Sequence, residues 1–104
     1  MNEKIKEIFL TKDQKQEACE DTKNCHTDVI IVFGNGDTFG APFFSLKGIK
    51  KINEENKKSG EFLFGKYFWA ERMVIVGSCE MREIRAVIDH LIDEGDFYKV
   101  FEKL

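Results

Sequence analysis

Cys79 is the residue whose type and position could do chemistry. Gly77-Ser78-Cys79 joins an apolar run, Met73–Val76, to the start of a strongly amphipathic segment. A thiol at a helix N-terminus can have a depressed pKa, and the free amides of the first turn can cradle an anion. A nucleophile also needs a base, and the chain has two histidines, His26 and His90. On one continuous helix His90 would stand roughly 16 Å from Cys79, out of reach, so only His26 could serve, brought in by the fold. The plainer reading makes Ser78 a helix cap and Cys79 a small first-turn residue. Cys79 is thus the one catalytic candidate, in a thiol-dependent enzyme.

Other constellations are less complete. Cys19, Cys25 and His26 could hold zinc with Cys79 or His90, but paired knuckles with short separations are missing, so no metal site is expected. Gly34-Asn35-Gly36-Asp37-Thr38-Phe39-Gly40 is rich in glycine. A phosphate loop must open a helix, and here an apolar, proline-containing stretch follows, so a hairpin turn is the better reading. Lys47, Lys50, Lys51, Lys57, Lys58 and Lys66 lie near Tyr67, Phe68 and Trp69, as a single-strand nucleic-acid surface would require. Glu54, Glu55 and Glu61 interleave with them, which fits a solvated helix face instead. Asp89, Asp93, Glu94 and Asp96 read as solubilising charge.

Tyr67-Phe68-Trp69-Ala70-Glu71-Arg72 has the composition of an interface, since aromatics and Arg are enriched where proteins meet. In a strand, Tyr67 and Trp69 would share one face and Phe68 would take the other. The expected binding set is Tyr67, Trp69 and Arg72, with Phe43 and Phe44 beside Pro42 on a candidate edge strand. The competing view is that these rings simply fill the core.

The elements that must position these residues follow from periodicity. Val29–Phe33 and Met73–Val76 are unbroken apolar runs, which place apolar groups on both faces of a central strand. Asn35-Gly36 predicts a type I′ hairpin turn, with Thr38–Phe44 as the return strand. Pro42 lacks a backbone donor, which predicts an edge or a bulge there. Ser45 suits a helix N-cap, Leu46, Ile49 and Ile52 form a stripe, and Gly60 suits the stop. Gly48 costs that helix about 1 kcal/mol relative to Ala, so it leans on packing. Glu61–Phe64 and Tyr67–Val76 read as a second hairpin around Gly65-Lys66, with a turn at Ala70-Glu71, dividing 66–69 from 72–76, as the alternative. Met81, Ile84, Val87, Ile88, Leu91 and Ile92 make the cleanest amphipathic helix, ending at Gly95. Phe97, Val100, Phe101 and Leu104 form a last short helical row. Residues 3–10 fit either a helix or a strand, and 11–27 read as a polar loop.

A chain of 104 residues is expected to form one domain. Ten Phe against two Tyr and one Trp favour cores or apolar docking patches, because Phe has no polar tip. A net charge of −3 argues against non-specific attraction to phosphate backbones or anionic membranes. The charged start, the lack of a membrane-length apolar run and the odd number of cysteines give a cytoplasmic expectation. The fold class expected is α+β: a mostly antiparallel sheet of about four strands, as two ββα units, with helices mainly on one face. Apolar surface would then remain on the other face. The expected function is a protein-interaction or regulatory module that pairs with a second copy or another protein through it. A small-molecule-binding domain and the Cys79 enzyme are the alternatives. No cofactor, membrane or nucleic-acid partner is expected.

Overall fold

A computed structural model describes residues 4–11 and 25–104. Of the polar stretch 11–27, residues 12–24, Cys19 among them, lie outside the described residues. The chain runs β1 (Ile5–Leu10), β2 (His26–Phe33), β3 (Thr38–Ser45), α1 (Leu46–Ser59), a short turn α2 (Glu61–Gly65), β4 (Val74–Val76), α3 (Met81–Glu94), α4 (Phe97–Val100) and β5 (Glu102–Lys103). The strands form one sheet in the order β1-β2-β3-β4, with β5 also pairing with β3. Among the described residues only the β3–β4 pairing is parallel. The chain therefore has the expected α+β fold with a mostly antiparallel sheet.

Strand alternation and helix periodicity together make the core. Thr27, Val29, Ile31 and Phe33 of β2 share one face with Phe39, Ala41 and Phe43 of β3, and all are buried. Onto that face α3 sets Ile84 and Ile88, and α4 sets Phe97 together with the following Phe101. Phe33, Phe39 and Phe97 meet edge to face with centroids 5.4–5.6 Å apart, the arrangement that aromatic quadrupoles favour. Each buried Ile or Phe contributes about 1.5–3 kcal/mol before chain entropy is subtracted.

Local signals explain the joints. Ser45 caps α1, its Oγ accepting from the Gly48 amide at 2.9 Å. The same Oγ accepts from the Cys25 amide at 2.9 Å, so one hydroxyl fastens the start of β2 to the start of α1. Gly48 is required there: a Cβ would collide with the carbonyl of Cys25. Close backbone approach is thus the return for its low helix propensity. Gly60 and Gly95 close α1 and α3 in the left-handed conformation, as expected.

Several expectations are corrected. At the first hairpin only Gly36 has positive φ, at 95°, whereas a type I′ turn needs two such residues. The Gly36 amide donates to the Phe33 carbonyl and the Phe33 amide to the Asp37 carbonyl, both at 2.9 Å. This is the three-residue loop in which a left-handed glycine follows an ordinary turn. Pro42 does not mark an edge, because β3 is interior to the sheet. Its missing donor falls in a gap: β5 pairs with Phe39 and Gly40, and β4 begins at Phe43. Residues 73–76 are not central either; β4 pairs with β3 alone and leaves Ile75 52% exposed.

The second hairpin, and with it the second ββα unit, does not form. Phe62, Leu63 and Phe64 instead make a left-handed turn with φ of 53–58°. Helix α3 starts at Met81 with Glu80 in the cap position, so Ser78 is not its N-cap. The Ser78 hydroxyl accepts from the Glu80 amide and donates to Glu83 Oε1 in a tight bend ahead of the helix. At the C-terminus the helical row stops at Val100, and Glu102–Lys103 pair with β3 as a strand.

Candidate functional site

The face of the sheet opposite α3 and α4 carries the side chains that alternate with the core set. The register aligns Phe9, Ile30 and Gly40 in one row across β1, β2 and β3. Leu104 completes it: a Cβ built on Gly40 would press on Ile30 Cδ1 at 3.1 Å and Leu104 Cδ1 at 3.3 Å. A second row runs through His26, Phe44 and Ile75. Its centre is capped, since Phe44 stacks on His26 at 5.7 Å and meets the edge of Phe68 at 5.3 Å. Pro42 is half-buried between these rows and Val32 half-buried beyond the first, and Glu7, Asp28 and Thr38 supply the polar members. Phe9, Ile75 and Leu104 remain exposed, Leu104 at 68%.

The segment that brings Phe68 onto this face also carries most of the expected binding residues. Tyr67 packs edge-on against Phe62 at 5.3 Å yet is half exposed, and Trp69 is 62% exposed. Arg72 adopts φ of 60°, and its Nη1 donates to the Lys99 carbonyl at 3.2 Å, tying the segment to α4. Phe43 and Phe44 are placed differently. Phe43 is fully buried against Phe101, and Phe44 is almost covered, so neither ring meets solvent. The left-handed turn before Tyr67 adds Leu63 and Phe64, both about two-thirds exposed. Sequence reasoning missed that pair because Glu61–Phe64 reads as a strand. Holding bulky residues in that conformation costs about 1–2 kcal/mol each.

Cys79 lies between β4 and α3, ahead of the Glu80 cap rather than in the first turn of the helix as expected, and its sulfur is bonded to Cys25. A disulfide sulfur does not titrate, so in this state Cys79 has no thiolate for nucleophilic chemistry. The bridge joins residues 54 apart in the chain and clamps the head of β2 to the approach to α3. Two of the sulfurs weighed as zinc ligands are therefore committed to each other. Lys57 pairs with Glu54 at 3.5 Å along the exposed side of α1, as a solvated face would.

Compared with known proteins, the chain matches no family model, no curated protein and no solved structure. Among the described residues, no helix is long and apolar enough to cross a membrane. The geometry alone therefore defines the class: an α+β fold whose sheet is roofed on one side and, among the described residues, partly bare on the other.

Proposed function

We propose that this protein acts by binding rather than by catalysis, and that it pairs with a second copy of itself through the outer face of the sheet. The observation that carries the reading is the apolar row of exposed Phe9 and Leu104 around half-buried Ile30, on the same sheet face as exposed Ile75, with exposed Tyr67 and Trp69 flanking the Phe68 that packs onto that face. Exposed contiguous apolar surface of this kind marks protein-interaction sites. Tyr and Trp bring large contact area at low entropic cost, which suits them as anchors. A two-fold axis through the face would bury each row against its copy, the self-complementary contact that most homodimers use.

The disulfide bears on where the protein works. Of the three grounds for a cytoplasmic location, the Cys25–Cys79 bridge weighs against the one drawn from the cysteines, because such bridges persist in oxidising compartments. Light scattering coupled to size-exclusion chromatography tests the association. The expected mass is about twice 12.1 kDa for the native protein. A 12.1 kDa particle at every concentration up to the millimolar range contradicts self-association.

A further inference from the structure

We propose that the groove between the open edge of β1 and the first half of α3 docks an extended acidic segment of another protein, adding it to the sheet as a further strand. This surface differs from the outer face, and the inference stands without the self-association reading. Three observations carry it. First, β1 ends the sheet: among the described residues it pairs with β2 and nothing else. The Thr11 amide donates to the Asp28 carbonyl at 3.1 Å, so the alternation of an antiparallel ladder turns the N–H and C=O groups of Ile8 and Leu10 to the open side. An unpaired edge of this kind is a template for an incoming strand.

Second, a cavity of about 300 Å³ lies along that edge, lined by Ile5, Lys6, Glu7, Ile8, Met81, Arg82 and Arg85. That volume is at the lower end of the range for ligand pockets and suits a few residues of extended chain rather than a folded element. Ile5, Ile8 and Met81 form its apolar part.

Third, its charge is opposite to that of the whole chain. Three cations and one carboxylate line it, in a protein of net charge −3. Arg82 and Arg85 now hold Glu80 and Asp89, each at 3.4 Å and well exposed, and such pairs contribute little, so they can be exchanged for a partner's carboxylates. The two guanidinium groups stand three residues apart on one helix, about 5–6 Å between Cβ atoms. Side chains two apart on a strand repeat at about 6.6 Å, so carboxylates at alternate positions match them. A second copy of this chain is the poorer occupant. Edge-to-edge pairing of two β1 strands would bring two sets of Lys6, Arg82 and Arg85 together.

The test is fluorescence anisotropy with three labelled peptides: octapeptides of alternating Asp and Val and of alternating Lys and Val, and the Asp form with its central Val-Asp pair replaced by Pro-Pro and one Asp added at its end to keep the charge. The Asp–Val peptide should bind saturably, at least roughly tenfold tighter than the Lys–Val peptide, and more weakly as salt rises. The Pro form keeps the charge but cannot complete the ladder, and should lose most of the affinity. R82E/R85E exchanges exposed side chains, so the fold should persist, and affinity for the Asp–Val peptide should fall by about tenfold or more. Amide exchange at Ile8 and Leu10 should slow when that peptide is bound. Absence of saturable binding, equal binding of the Pro form, or full affinity in R82E/R85E would overturn the proposal.

Discussion

The two faces of the sheet arise from the same strands by the same alternation, and they end in different states. On the inner face, Val29, Ile31, Phe33, Phe39 and Phe43 lie under α3 and α4 with almost no exposure. On the outer face, Ile30 and Val32 are half-buried, while Phe9, Ile75 and Leu104 reach solvent. Among the described residues the two sides differ in the elements that cover them, and the outer side also carries the polar Glu7, Asp28 and Thr38. The long amphipathic helix and the Phe97–Phe101 row both go to one side. The other side receives Phe68, the ring of His26 and the terminal Leu104. Under the proposed self-association the inner face answers to stability and the outer face to association, and substitutions should separate the two.

Phe43→Ala should have the largest effect on folding. It removes a fully buried ring and should cost about 3–5 kcal/mol in urea denaturation. Reduction of the Cys25–Cys79 bridge should come next. Opening a bridge between residues 54 apart should cost about 2–4 kcal/mol, read as a lower Tm in dithiothreitol and reproduced by Cys79→Ser. Gly48→Ala is informative by its sign. Helix propensity predicts a gain of about 1 kcal/mol, but the Cβ collides with the Cys25 carbonyl, so the variant should be less stable than the native protein by thermal denaturation. Ile75→Lys should have the smallest effect on stability, within about 0.5–1 kcal/mol, because Ile75 is already half exposed. It should nonetheless lower the self-association constant in sedimentation equilibrium. A large loss of stability with unchanged association would erase the contrast between the faces.

The parts of this fold that were legible in the sequence are those with a repeated physical signal. The spacing Ile84, Ile88, Leu91 marks α3, Ser45 and Gly60 bracket α1, and Val29–Phe33 extends as β2. Segment 61–76 was not legible. Its aromatic residues fit a strand by propensity, yet Phe62–Phe64 turn left-handed and Phe68 folds onto Phe44, choices made by tertiary contacts. Pro42 misled because its nitrogen falls where β4 and β5 leave a gap, which only the completed sheet creates. The Cys25–Cys79 pairing was equally hidden, since an odd set of cysteines does not dictate which two will meet. At the candidate site, Tyr67, Trp69 and Arg72 are exposed, whereas Phe43 lies in the core and Phe44, on the outer face, is covered by His26 and Phe68.

In the proposed dimer the outer face, and not another surface, holds the two copies together. Isotope-filtered NOE spectroscopy on a mixture of labelled and unlabelled protein tests it most directly. Intermolecular NOEs should connect the methyl groups of Ile30, Ile75 and Leu104 to the rings of Phe9 and Trp69 in the other copy. A spectrum in which these methyls show none, in a sample that scatters as a dimer or as a monomer, would contradict the claim.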